Sequence, residues 1–257
     1  MDPPGDGTNM PREGYQEQLD GLWEDVLYMS QVVLERLRMG LKALAHKDEK
    51  LAWEVIEGDD EINQLYLELE GDCIDLLALQ QPVASDLRFI AASFKIITDL
   101  ERIADLATNL GDYTLEARRD VYPDVDVQSV GETVSTMVED AMVAYETEDT
   151  EACHEIAARD DEVDGQCEAA SEAVVRDLIE TGASGEGIED LMNEVPRLLL
   201  TIRDLERIGD HAVNIAARPL YMAENSGELI YWSPLFARSG GSARAPNTPP
   251  RQKLGEK

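Results

Sequence analysis

Residues 99–110 read DLERIADLATNL, and residues 204–215 read DLERIGDHAVNI. The second stretch repeats the first 105 positions further on: Glu101 answers to Glu206, Asp105 to Asp210 and Asn109 to Asn214. Solvated helix surface drifts freely, so a duplicated segment that keeps its acids and its Asn has a structural or a chemical reason. At about 100° per residue, with Leu100 set at zero, Ile96, Ile103, Ala107 and Leu110 fall within about 80° and make one apolar stripe. Glu101, Asp105 and Asn109 form a row at i, i+4, i+8 on the outward side of that stripe. The second copy gives the same wheel, with Leu205, Ile208, Ala212 and Ile215 inward and Glu206, Asp210 and Asn214 outward.

The rest of the chain repeats around these segments. A helical period runs from Tyr15 through Leu19, Leu22, Val26, Val33, Leu37, Leu41 and Leu44. A second run extends from about Leu51 to Gln80 and is ended by Pro82. Ser85 and Asp86 offer N-cap chemistry for a third, which ends near Arg119 at the break VYPDVD. The pattern then recurs over about Val127–Glu146 and Glu151–Thr181. The glycine-rich TGASGEG follows, and then a long helix over about Ile188–Ala223 in which Pro196 predicts a kink. The middle helices match as well: GDDEIN at 58–63 echoes RDDEVD at 159–164, at an offset of 101. The two offsets differ by four residues, one helical turn or a change of loop. No segment alternates as a strand does. The chain therefore predicts an all-α fold of two tandem, pseudo-symmetric three-helix bundles, over residues 13–120 and 124–223. Residues 1–12 read as a disordered N-terminus and residues 224–257 as a disordered, linker-like basic tail.

Composition narrows the function. The 257 residues carry 54 acids against 22 bases, a formal charge of −32. Such a body repels nucleic acid and anionic lipid. Acids occur in nearly every segment, in the style of salt-loving proteomes, where high ionic strength shortens the screening length. No apolar run approaches the roughly 20 residues of a membrane span, and the acidic start lacks a signal peptide's basic and apolar regions. The expectation is a soluble, cytoplasmic protein without membrane insertion. Cys73, Cys153 and Cys167 form no C-x-x-C pair and read as buried thiols.

The acid rows have two readings. As solvated surface, Arg102 and Arg207 would balance Asp99 and Asp204 at i, i+3. As a cation site, stacked carboxylates suit hard ions, and zinc also accepts them. Like charges at i, i+4 cost a few tenths of a kcal/mol in an isolated helix, and the chain accepts that cost twice. One helix cannot saturate a metal, so the middle helices would contribute: Asp59, Asp60 and Asn63 in unit one, Asp160, Asp161 and Asp164 in unit two.

VIEGDDEIN, LALQQPVASDLRFI and ITDLERIADLATN, followed by RDDEVD and IRDLERIGDHAVNIAA, resemble the PhoU family of phosphate-signalling proteins over roughly residues 15–222. The resemblance implies a two-fold repeat of three-helix bundles whose E/D-x-x-x-D rows bind metal clusters, iron or zinc first, manganese or magnesium as further choices. By position, it makes Glu101 and Asp105, with Asp59 opposite, the metal carboxylates of unit one. Glu206 and Asp210, with Asp160 and Asp164 opposite, take that role in unit two. Asn63 stands where unit two has Asp164, which predicts a first site that is weaker or of a different nuclearity. The family restrains phosphate uptake and couples a phosphate ABC transporter ATPase to a sensor kinase, commonly as a homodimer. The acidity adds a halophilic archaeal origin to these expectations, and with it the bacterial kinase partner is in doubt.

Other chemistry is excluded or weak. There is no Ser/Cys–His–Asp constellation, P-loop or dinucleotide fingerprint, so an enzyme is not expected. His154 makes a single E-x-x-H, where a di-iron bundle needs two. His211 falls at about 240° on the wheel, away from the row, and reads as packing. Weighed alternatives are an accessory regulator of a low-affinity phosphate permease and a metal-free helical scaffold.

Charge alone makes one prediction. Lowering ionic strength lengthens the screening distance from a few ångströms to tens and increases self-repulsion at −32. The melting temperature will rise with salt into the molar range. A flat profile from about 0.1 M upward contradicts this.

Overall fold

The computed structural model describes residues 10–79, 82–116, 126–184 and 188–223. Seven helices account for nearly all of them, and no strand occurs among the described residues. They are α1 (Met10–His46), α2 (Glu49–Glu57), α3 (Asp59–Leu79), α4 (Ala84–Glu116), α5 (Val127–Thr147), α6 (Ala152–Ser184) and α7 (Ile188–Ala223). Helices α1–α4 make the first unit and α5–α7 the second. Among the described residues no helix is long and apolar enough to cross a membrane. The expectations for residues 224–257 and for most of 1–12 lie outside the described residues; α1 itself starts at Met10.

The repeat is visible in the turns. α1 ends at His46 and is followed by Lys47 at φ 51°; α5 ends at Thr147 and is followed by Glu148 at φ 53°. Each left-handed residue precedes an Asp that caps the next helix. Asp48 accepts from the Leu51 amide at 3.1 Å, and Asp149 accepts from the Glu151 amide at 2.9 Å. These turns keep the 101-residue offset. Counted from the equivalent positions Leu51 and Ala152, α6 reaches Ser184 where α3 ends at Leu79.

Unit one departs from the expected single run over 51–80. It breaks at Gly58, because the Arg36 guanidinium of α1 occupies the space a Cβ there would need. Arg36 Nη1 donates to the Glu54 carbonyl at 2.6 Å and Nη2 reaches Glu61 at 3.5 Å, so α1 takes over a helix-end acceptor and pins the break. Two smaller expectations also shift. Ser85 and Asp86 lie inside the first turn of α4 rather than capping it, and α6 continues through Thr181–Ser184, part of the expected loop. Pro196 sits within a continuous α7.

One apolar core threads both units. α1 packs on α4 and also on α5, and α4 packs on α7. Tyr145 of α5, fully buried, shares a hydrogen bond with Ser93 of α4 at 2.9 Å and stacks on Trp23 of α1 at 5.0 Å.

The α4–α7 seam explains half of the duplicated motif. Asp99 and Asp204 are buried, at 8 % and 4 % exposure. Asn109 Nδ2 donates to Asp204 at 3.0 Å, and Asn214 Nδ2 donates to Asp99 at 3.4 Å. The two contacts are reciprocal and run in opposite directions along the chain, so the helices are antiparallel about a pseudo-two-fold axis. Tyr113 adds a hydroxyl to Asp204 at 2.9 Å, and His211 Nδ1 lies 2.9 Å from Asp99. The expected partnership of Asp99 with Arg102 does not occur; Arg102 turns to Glu101 and Asp105. Asn109 and Asn214 point outward from their own bundles, as the wheel requires, but the other unit is what they meet there.

Removing a seam amide leaves a buried carboxylate short of a donor, which costs about 1–3 kcal/mol. Asn109→Ala will destabilise more than Asn214→Ala, because its bond is the shorter (3.0 against 3.4 Å); each Asp keeps two other partners, Tyr113 and Arg207 (3.9 Å) for Asp204 and His211 and Arg218 (3.9 Å) for Asp99. Chemical denaturation measures both; a change under ~0.5 kcal/mol for Asn109→Ala contradicts the role.

Candidate functional site

Each acid row begins beside a middle helix and ends in the seam. A step of four residues advances about 40° around a helix. Glu101, Asp105 and Asn109 therefore drift from the α3 side of α4 to the α7 side. Glu206, Asp210 and Asn214 drift from α6 toward α4. The third residue of each row enters the seam, while the first two are left half-buried. The sequence reading had placed them on open surface.

In unit one the carboxylates have protein donors. Asp59 Oδ2 accepts from Asn63 at 2.8 Å and Oδ1 from Thr108 of α4 at 3.2 Å. Asp105 accepts from Arg102 Nη1 at 2.9 Å, and Glu101 lies 3.3 Å from Arg102 Nε. Burial pushes the Glu101 carboxyl above its ordinary range, with Asp105 next and Asp59 adding to it; Arg102 and His211 oppose. Asp59, Glu101 and Asp105 thus form one electrostatic group across α3 and α4.

Unit two is more acidic and more buried. Asp164 replaces the Asn63 donor, so the i, i+4 pair on α6 is Asp160 and Asp164. Asp160 is 3 % exposed, whereas Asp59 is half-buried. The cause is Gly209: a Cβ there would stand 2.7 Å from Asp160 Oδ1. Unit one has Ala104 at that position. The absent methyl admits the Asp160 carboxylate against α7. One oxygen each of Asp160, Asp164 and Asp210 is sealed from solvent, and the sealed Oδ1 of Asp210 accepts no hydrogen bond from the protein. Burial pushes both Glu206 and Asp210 upward; Asp210 repels Glu206 further, while Arg207 and His211 moderate Asp210. The Cys167 thiol is pushed up to about 12 by burial, then by Glu206 and Asp160. That raises the cost of the thiolate a metal would need.

Among the described residues, no three His, Cys, Asp or Glu side chains are already gathered as a metal cage. The rows are open, with Arg102, Asn63 and Thr108 beside the carboxylates of unit one and one sealed, undonated oxygen on Asp210 in unit two. Hard cations favour oxygen donors of this kind. The buried, undonated oxygen of Asp210 makes unit two the better fit. Sequence reasoning missed Asp99, Asp204, Tyr113 and Arg218 as a seam network, although the 105-residue offset marks the two acids. It also missed Gly209, whose signal is the single change from IAD to IGD.

Such an arrangement defines a duplicated helical-bundle protein with an acidic row beside each middle helix and a polar seam joining the halves. Residues 26–114 and 127–218 each match the PhoU domain, and the chain belongs to the PhoU family. A phosphate-specific transport system accessory protein PhoU homolog of Synechocystis is 32 % identical over 86 % of this chain and 96 % of its own length. PhoU homolog 1 of Methanothermobacter thermautotrophicus is 32 % identical over 82 % and 95 %. The crystal structure of PhoU from Pseudomonas aeruginosa superposes with a TM-score of 0.75 at 31 % identity, covering 82 % of this chain and all of that one.

A carboxyl whose folded pKa is raised contributes stability that is fully present below its unfolded pKa and is lost as pH rises through the folded value. Glu206 and Asp210 therefore destabilise the metal-free fold at neutral pH. Glu206→Gln with Asp210→Asn will raise the melting temperature at neutral pH in chelator by about 2–4 °C and will flatten the gain seen on acidifying toward about pH 5. An unchanged profile or a lower melting point counts against the electrostatics described.

Proposed function

We propose that this chain is a non-catalytic regulator of phosphate homeostasis, which restrains high-affinity phosphate uptake when phosphate is plentiful. The observation that carries this is the pair of PhoU domains spanning both bundles, shared along nearly their whole length with proteins named as accessories of phosphate-specific transport. Its partner is then the cytoplasmic ATPase of a phosphate ABC transporter, with a sensor kinase as a second contact and a homodimer as the working form. The chain's formal charge of −32 disfavours nucleic acid as a partner.

The acid rows are proposed as metal sites, with iron or zinc first and manganese or magnesium as alternatives. Glu206, Asp210, Asp160 and Asp164 would hold metal in unit two; Glu101, Asp105 and Asp59 would hold it more weakly in unit one. A bound cation supplies a Lewis-acidic point for phosphate oxygen or a partner's carboxylate. The chain's residues orient that site: Gly209 admits Asp160, and the seam holds α4 and α7 in register. Support comes from the sealed Asp210 oxygen and the raised Glu206 and Asp210 carboxyls.

Two measurements test the proposal. Glu206→Ala with Asp210→Ala will lose half or more of the metal of protein purified without chelator and keep its fold, since no apolar core is removed. In a deletion strain, labelled-phosphate uptake in rich medium will be insufficiently restrained. The wild-type gene will restore restraint, and the double variants of either row will not. Uptake equal to wild type in replete and starved cells overturns the phosphate assignment. Unchanged metal in a folded double variant overturns the site.

A further inference from the structure

The end of α7 meets an open groove whose occupant the chain itself can supply. Trp23 of α1, Phe89 of α4 and Met222 of α7 wall a cavity of about 340 Å³, and Asp20, Asp86 and Glu148 rim it. Trp23 stacks on Phe89 at 5.9 Å and on Tyr145 at 5.0 Å, so the aromatic wall is held from behind. Arg88 Nε donates to the Met222 carbonyl at 3.0 Å, which ties this part of α7 to α4. Ala223, the last residue of α7, also lines the groove. Neither acid row of the proposed metal sites contributes to it.

The chain runs on past Ala223 to Lys257, and residues 229–236 read LIYWSPLF. The chain has three Trp and three Phe, and one of each lies in this short stretch, as Trp232 and Phe236. Leu229 follows Ala223 by six residues, a reach of at most about 20 Å, so the stretch starts within range of the groove. Arg238 follows at once, and Ala237–Lys257 carries Arg238, Arg244, Arg251, Lys253 and Lys257 against one acid, Glu256. The groove offers the opposite charge in Asp20, Asp86 and Glu148. Tethering beside the site gives the segment an effective concentration in the millimolar range, so modest contacts suffice. The Pseudomonas aeruginosa structure is matched along its whole length by 82 % of this chain, and the second PhoU domain ends at residue 218. Residues 229–236 therefore lie past both matched PhoU domains.

We propose that residues 229–236 dock in their own chain's groove between α1, α4 and the end of α7, with Trp232 against the Trp23–Phe89 wall and Arg238 at the acidic rim. Aromatic contact provides the apolar burial, and the Arg–carboxylate contacts orient the segment. The docked segment covers this end of the molecule without touching the acid rows.

A thiol cross-linking experiment on the full chain tests this, since Cys73, Cys153 and Cys167 are buried. Gln16→Cys with Ala237→Cys, which keeps the rim acids and Arg238, treated with a short bifunctional thiol reagent, will cross-link within one chain at least about fivefold faster than Glu180→Cys with Ala237→Cys, as a docked segment raises local concentration at one site only. Glu180 is an exposed control near the far end of α6, about 40 Å of helix from its start. Adding Trp232→Ser and Phe236→Ser, which lie outside the seven described helices, will reduce the Gln16 rate to that of the control. Equal rates for the two pairs overturn the proposal. Cross-links formed between chains overturn it in favour of a second copy in the groove, and a rate insensitive to Trp232 and Phe236 overturns the aromatic contact. Metal content and phosphate uptake play no part in the readout, so its outcome is separable from the functional proposal above.

Discussion

Two buried carboxylates, Asp99 and Asp204, set the geometry of this protein. Each sits on the last helix of one unit and is satisfied by the last helix of the other. A buried carboxylate without donors is costly, and the cost falls when hydrogen bonds are aimed at it. The helices α4 and α7 can meet both demands together only when antiparallel and in one register, since a slip of one turn would separate both Asp–Asn pairs. Apolar packing across the seam tolerates many registers. The reciprocal amide–carboxylate contacts favour one, and they explain why Asp and Asn were kept in both copies of the motif.

The acid rows follow from that register. With the fifth-position drift of a helix, the Asn of each row must face the partner unit if it is to reach the Asp, and the Glu and Asp before it then lie in the cleft toward α3 or α6. They are half-buried, and burial is the main cause that pushes the Glu101, Glu206 and Asp210 carboxyls upward. Such an environment favours the protonated form of a carboxyl. The two copies have diverged in degree. In unit one, Asn63, Thr108 and Arg102 supply the donors. In unit two, an Asp replaces the Asn, a Val stands at the Thr108 position, and Gly209 draws Asp160 inward. The duplicated scaffold thus presents one partly neutralised site and one charged site on the same frame.

Acidity acts on two scales. Across the whole chain it is a diffuse repulsion that salt screens. At Glu206 and Asp210 it is local, because burial lowers the effective dielectric and salt reaches the charges poorly. The groove at the end of α7 is a third setting, where Asp20, Asp86 and Glu148 rim an aromatic wall. The same residue types therefore do different work according to what surrounds them.

Much of this was legible in the sequence. Apolar steps of three and four residues determine the helices, since burial of one stripe is the main reason each forms. The 101 and 105 offsets determine the duplication, and the acids at Glu101, Asp105, Glu206 and Asp210 mark where chemistry is concentrated. The break at Gly58 was not legible, because it depends on Arg36 arriving from α1, and no local signal separates a helical Gly from a helix end. Nor could the wheel tell open surface from the partner unit: it defines what points away from one bundle, and only the tertiary structure decides what stands there. Asp99, Asp204, Asn109 and Asn214 became a seam, and Asp160 became buried, through contacts between residues about 50 to 115 positions apart in the chain. Local periodicity carries information over one or two turns of helix; the satisfaction of a buried charge is settled only when distant elements pack against it.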